Sequence, residues 1–181
     1  MGTIKTTNIE PIADNGTVTL GSSGDQFTLA TGAKSSFLYP AFEAKLNSTQ
    51  TISDNTSTKV TFDTEEFDTD SAYDNSSNYR FTPQVAGKYL VYLSLGINSE
   101  GSSQLQNMYT TIKKNGSSIK DSHNNYADNF IRFGTASVVA VVTFNGSSDY
   151  IEAFAQCADS SGSASVHNNT FSTFGAYRIG S

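Results

Sequence analysis

The chain has 181 residues, room for one sizeable domain or one domain with an appendage. Its 17 acidic against 11 basic residues leave a net charge of −6, which sets aside nucleic acid and anionic membrane surfaces as main partners. One cysteine excludes a disulfide framework within the chain, and charged residues, at 15%, fall well below the roughly 25% of an ordinary domain.

Ser, Thr, Asn and Gly fill that gap, while 9 Tyr and 12 Phe supply much of the apolar mass, the composition of an outward-facing β-protein. The opening "MGTIKTTNIEP" has no apolar run of the kind a signal peptide needs, and no later stretch could span a membrane as a helix. Met1-Gly2 with Thr6 matches the spacing of an N-myristoylation signal, a pattern short enough to arise often by chance. Seven Asn-x-Ser/Thr triplets, from Asn15 to Asn168, read as an Asn- and Ser-rich surface. An exterior-type surface without a secretory route suggests a particle assembled in the cytoplasm and released by lysis. The expected location is the outside of a virion.

The first predicted elements are short. "NGTVTLGSSGDQFTLATGA" places Thr17-Val18-Thr19-Leu20 and Phe27-Thr28-Leu29 on either side of a Gly-Ser-Ser-Gly turn. Such rungs cannot bury a face alone, so residues 1–35 are expected to form a shaft or virion anchor completed by sister chains and other virion proteins. The reading "KTTNIEPIADNGTVTLGSSGDQFTLATGA" resembles the openings of structural proteins of tailed phages, marine and cyanobacterial ones especially.

From residue 36 to residue 181 the pattern is all β. Strands are expected over 37–44, 59–63, 79–81, 88–98, 107–114, 131–144, 150–157 and 171–179. No stretch sustains a 3.6-residue apolar period, and strand count and spacing point to an antiparallel sandwich of jelly-roll type. In "RFTPQVAGKYLVYLSLGIN", Pro83 and Gly87 precede a long strand with Tyr89, Val91, Leu93, Leu95 and Ile97 on one face. Leu90 and Tyr92 make the other face apolar as well, so this strand expects partners on both sides.

Read in order, "AFEA" (41–44), "KVTFD" (59–63), "SAYDNSSNYRFTPQVAGKYLVY" (71–92), "IKKNG" (112–116), "FNGSSDYIEAF" (144–154) and "FSTFGAYRI" (171–179) resemble the jelly-roll heads of the complement one-q and tumour necrosis factor superfamily. Phe42, Phe62, Asp63, Phe81, Pro83, Gly87, Tyr89, Asn115, Gly116, Asp149, Phe171 or Phe174, and Gly175 occupy the family's motif positions. Ser148 stands where the family has glycine, and no collagen repeat precedes the head. The resemblance implies ten-strand jelly rolls packed as homotrimers, with Phe42, Phe62, Phe81, Tyr89, Tyr92, Phe171 and Phe174 in the core or near the threefold axis.

Catalytic constellations are nearly absent. His123 and His167 sit in Asn- and Ser-rich stretches without metal-ligand spacing, and Cys157 follows Ile151, Ala153 and Ala155 at period two, as a packing thiol. The acidic run "DTEEFDTDSAYD" offers Asp68, Asp70 and Asp74 to calcium, but its spacing is not that of an EF-hand, and a solvated acidic loop is the preferred reading. No cofactor is expected. Loops over 47–58, 121–129 and 158–169 are expected at the exposed end of the head, with His123, Asn124, Asn125 and Tyr126 as candidate contacts to a host surface glycan.

The sequence therefore supports three readings: a non-enzymatic phage fibre or spike whose head binds the host, a purely structural part such as a capsid-decorating head fibre, and a glycan-cleaving virion enzyme. The last needs two carboxylates about 5–9 Å apart across a cleft.

Overall fold

The structure is a computed structural model in which residues 39–180 are described. The shaft or anchor assigned to residues 1–35, and the boundary beside it, lie outside the described residues.

Among the described residues thirteen strands follow in order: β1 (Ala41–Lys45), β2 (Gln50–Ser53), β3 (Thr58–Lys59), β4 (Thr64–Asp68), β5 (Tyr73–Asp74), β6 (Arg80–Phe81), β7 (Gly87–Ser99), β8 (Leu105–Lys114), β9 (Ser117–Asn125), β10 (Phe133–Phe144), β11 (Ile151–Asp159), β12 (Ser163–Val166) and β13 (Thr173–Gly180). One 3-10 turn, Asn169–Phe171, is the only helical element among the described residues. The first sheet runs β2-β12-β7-β13-β1-β4 with β10 also paired to β7; the second runs β5-β6-β11-β8-β9 with β3 also paired to β11. Every pairing is antiparallel, so the all-β jelly-roll sandwich is the fold.

β7 organises the first sheet. One edge pairs with β10 from Gly87 to Asn98, while the other is shared by β13 and β12. Its inward residues Tyr89, Val91, Leu93, Leu95 and Ile97 are all 0% exposed. Alternation alone selects that face, because successive side chains of a strand point to opposite sides. Against it packs an aromatic cluster centred on Phe42, stacked on Tyr73 at 4.6 Å and Phe81 at 4.5 Å and edge-on to Phe174 at 5.1 Å.

Several polar stretches depart from expectation. β9 lies where a loop was expected, over most of 121–129: its side chains are largely exposed on both faces, so it carries no apolar period, and its pairing with β8 makes it a strand. The expected loops at 47–58 and 158–169 contain β2 and β12, which pair with each other from Ser53–Ser163 to Gln50–Val166. β4 lies within the acidic run. Conversely, of the expected strand at 59–63 only the start joins a ladder. The Gln50 side chain stands in for a neighbouring strand there, accepting from Thr61 N at 2.9 Å and donating to Lys59 O at 2.8 Å, while Val60 and Phe62 remain buried.

The β10–β11 turn is built on side chains. Asn145 Oδ1 accepts from the N–H groups of Ser147, Ser148 and Asp149, and the Ser148 hydroxyl accepts from Asn145 Nδ2, so serine fits where the resembling family has glycine. Asp149 in turn accepts from Lys114, Asn115 and Asn145 N, and these bonds, Lys114 first, hold its carboxyl below the usual aspartate range. A depressed native pKa contributes stability at pH values above the ordinary carboxyl range, and that contribution is lost as pH falls through the depressed value. Thermal melts between pH 7 and pH 2 are therefore expected to fall more steeply for the native chain than for Asp149→Asn at the acid end.

Candidate functional site

Two outward sheet faces differ sharply in chemistry. On the first sheet, register places Leu90 between Val141 and Tyr177, and Tyr92 between Val139 and Gly175. Leu90, Val139, Val141 and Ile179 are 38%, 54%, 60% and 45% exposed, an apolar surface with no cover from the chain's described residues. The sequence signal was present in "SVVAVVTF" (137–144), which is apolar on both faces of one strand.

Aromatic rings extend this surface across the sheet. Tyr92 stacks beside Tyr177 at 6.1 Å, and Phe67 of β4 lies 5.8 Å from Tyr177. Gly175 makes the row possible: a Cβ there would lie 2.2 Å from Tyr92 Oη, so only a residue without a side chain lets the ring cross β13. The Tyr92 hydroxyl thereby reaches Glu43 on β1 and donates to its carboxylate. Burial first, then that bond and the Glu43 charge, push the Tyr92 phenol well above its ordinary value. Beside it a cavity of about 370 Å³ is lined by Glu43, Lys45, Glu66, Thr170 and Thr173. Its two carboxylates are both engaged, Glu43 by Tyr92 and Glu66 by Lys45.

The outward face of the second sheet is polar with isolated rings. Tyr109 of β8 stands between His123 of β9 and Gln156 of β11, and Asn107 stands between Asn125 and Ala158. Tyr109 and His123 are stacked with parallel rings 4.0 Å apart. Asn107 Oδ1 accepts from Ala158 N at 3.0 Å and Asn125 Oδ1 from Ala127 N at 2.9 Å. Beyond Asn125 a cleft of about 530 Å³ is lined by Tyr126, Ala127, Asp128, Asn129 and Ile131. One row along from Gln156, Lys113 covers Phe154 at 3.7 Å, and further on Arg80 covers Tyr150 at 4.5 Å.

The expected contact residues are thus divided. His123 and Asn125 face outward. Asn124 Nδ2 donates to Tyr126 Oη at 3.0 Å and to Thr135 O at 3.1 Å, tying β9 to β10, and Tyr126 packs against the core. Alternation along "DSHNNY" carried this split, but only once the segment is known to be a strand. Gln156, Tyr109 and Asn107 were not singled out in the sequence, since each sits unremarkably in an alternating strand.

Of the residues expected in the core or at a threefold axis, Phe42, Phe62, Phe81, Tyr89 and Phe174 lie fully buried between the sheets. Phe171, 44% exposed, lies on the 3-10 turn against Phe133 and His167. Among the acidic residues, Asp68 Oδ2 accepts from Tyr73 N at 2.8 Å. Asp74 accepts from the backbones of Ser77, Ser76 and Asn78, and these bonds, Ser77 first, hold its carboxyl far below the usual range. Among the described residues no three His, Cys, Asp or Glu side chains converge as a metal site. Cys157 is buried, and burial, then the Asp159 and Asp54 charges, push its thiol up to about 12, so it carries no thiolate at neutral pH. Asp74→Ala removes the acceptor of a whole solvent-exposed turn and is expected to cost about 0.5–1.5 kcal/mol in urea unfolding.

No protein-family profile and no curated protein matches the sequence. Solved structures do. The globular domain of zebrafish complement 1qA protein matches with a TM-score of 0.53 at 16% identity, covering 77% of this chain and 97% of that one. Eiger TNF from S. frugiperda matches at 0.54 and 11%, covering 78% and 93%, and murine APRIL at pH 8.5 at 0.52 and 11%, covering 77% and 99%. At such identities the likeness is one of fold.

Proposed function

We propose, on the premise of a jelly-roll domain of the complement one-q and tumour necrosis factor type, that the chain is a non-enzymatic homotrimeric head on a phage virion fibre or spike, binding the host surface. The observation that carries it is the exposed apolar face bearing Leu90, Val139, Val141 and Ile179. Contiguous apolar surface of this kind marks an interaction site, and further copies of the chain closing a ring about one axis are the cover this reading assigns to it. The number three comes from the fold's resemblance to trimeric heads. The virion setting rests on the composition and on the phage-like reading of residues 1–35. Glycan cleavage finds no support in the carboxylate pair Glu43 and Glu66, since each is held by another side chain and neither faces a free partner across a cleft.

Sedimentation of the full-length protein at micromolar concentration tests the assembly. The expected mass is about three times the 19.4 kDa of one chain. Val141→Glu sets an unpaired carboxylate on the apolar face, a cost of several kcal/mol per buried charge, and is expected to return the protein to single chains with its fold intact. A native protein that sediments as one chain overturns the reading. Host binding is tested by adsorption of the purified trimer to host cells in competition with intact particles; a trimer that does not adsorb is a purely structural virion component.

A further inference from the structure

The second sheet's outward face carries hydrogen-bonding groups with no use inside the fold. Elsewhere polar side chains are spent locally: Asp74 and Asn145 each satisfy an entire turn. On this face the Gln156 side chain makes no hydrogen bond to another described residue, and Tyr109 Oη and both His123 ring nitrogens are likewise uncommitted. We propose that Asn107, Tyr109, His123, Asn125 and Gln156 form a binding site for a neutral saccharide. This deepens the host-binding reading and rests on it.

The amides are oriented in advance. Because Asn107 Oδ1 and Asn125 Oδ1 are each fixed by a backbone N–H, their Nδ2 groups are left as outward donors, and the assignment of oxygen and nitrogen is settled by those bonds. Gln156 adds a free donor and acceptor on the far side of Tyr109. Three adjacent strands and two rows along them give an array about 10 Å by 7 Å, the size of one or two sugar rings. Strand backbones hold it still, so little entropy is lost when a ligand docks. The stacked rings add apolar surface: Tyr109 is covered on one side by His123, which stands exposed on the edge strand β9 and keeps its other ring face open. Such a face suits the C–H side of a pyranose, and the amides suit its hydroxyls.

Charge selects the class of sugar. No fixed cation belongs to the array, the next row along the sheet sets the exposed Asp121 on one side of Thr111 and, over Phe154, the Lys113 ammonium on the other, and the chain carries a net charge of −6. The net charge of the chain disfavours acidic sugars, and uncharged hexoses or N-acetylhexosamines are accepted. One such site binds weakly, and several on one assembly gain avidity without new contacts.

The test is an array of immobilised oligosaccharides probed with the full-length protein: cello-, malto-, manno- and chito-oligosaccharides as neutral probes, sialylated and uronic-acid chains as acidic ones. Retention on at least one neutral probe and on no acidic probe is expected. Gln156→Ala breaks no internal hydrogen bond, so its fold is safe, and it should weaken retention at least tenfold with an unchanged melting temperature. His123→Ala should weaken retention as much, with a small fall in melting temperature from the lost stack on Tyr109. The inference is overturned if no neutral probe is retained, if acidic probes are preferred, or if both variants bind like the native protein. Trimers that fail on every probe remove this site alone, whereas single chains that bind a neutral probe remove the trimer and leave the site.

Discussion

Phe42→Ala is expected to lower unfolding free energy by about 3–5 kcal/mol, read from urea denaturation at constant slope. Phe42 is 0% exposed, and its ring touches three others, two stacked and one edge-on. These partners come from β5, β6 and β13, so the ring joins both sheets at one point. Truncation removes the transfer energy of a large side chain and leaves a cavity walled by Tyr73, Phe81 and Phe174. Those rings belong to a close-packed interior and cannot collapse far. Phe171→Ala is the matched comparison. Its ring is 44% exposed and contacts Phe133 and His167 on the outer side of the sheet, so about 1 kcal/mol is expected. Equal losses in the two variants would contradict the placement of the core on Phe42 and Phe174.

The contrast between these phenylalanines shows what the sequence could and could not say. Phe171 and Phe174 fit one motif position equally well, because a motif records spacing and not the direction of a side chain. Direction is decided by the ladder: Phe174 pairs with Leu93, an inward residue, while Phe171 precedes the strand. Long apolar strands were legible for the same reason that β7 was, since Tyr89, Val91, Leu93, Leu95 and Ile97 recur at every second position and are all buried. β9 and β12 were not. "SSIKDSHNN" is an edge strand exposed on both sides, and hydrophobic period is silent where neither face is buried. What makes it a strand is its long-range partner β8, which no local pattern announces. Of the polar array, His123 and Asn125 were legible as candidate contacts although their strand was not, whereas Asn107, Tyr109 and Gln156 sit on β8 and β11 and join them only through the pairing of β8 with its two neighbours.

The two faces also explain why one sandwich needs such different surfaces. β7 and β10 are apolar on both sides, so the first sheet is covered inward by the second sheet and needs cover outward as well. β8 is apolar inward and polar outward, the ordinary antiparallel pattern of a sheet that faces water, and β11 beside it mixes Glu152 and Gln156 with Phe154 and Ala158 on its outward side. An assembly through the first sheet therefore leaves the second free to meet a ligand.

Gly87→Ala is expected to cost about 3 kcal/mol, large for the addition of one methyl group. Gly87 opens β7 with φ of 143°, a conformation that L residues rarely adopt, and that strain alone is worth about 1–3 kcal/mol. A Cβ would also lie 2.3 Å from Gly180 O and 2.9 Å from Arg178 Nε. The first contact is with backbone, so no rotamer change relieves it. The second is with a side chain that is 8% exposed and already committed, donating from Nε and Nη2 to Ala86 O at 3.1 and 3.0 Å. Nearby, Tyr89 Oη donates to Val85 O at 2.8 Å, and burial pushes that phenol up to about 12, so it stays a donor through neutral pH. The chain entering β7 is thus pinned on both sides of Gly87, and the methyl group must displace β13 itself. Because β13 carries Tyr177 and Ile179, the displacement should also loosen assembly, and sedimentation should shift toward single chains along with the fall in stability. Gly162→Ala separates strain from collision: its φ is 94° but a Cβ there meets nothing within 4 Å, so a smaller loss, about 1 kcal/mol, and unchanged assembly are expected. If both glycine variants lose the same amount, the close approach of β13 to Gly87 is not what fixes glycine there.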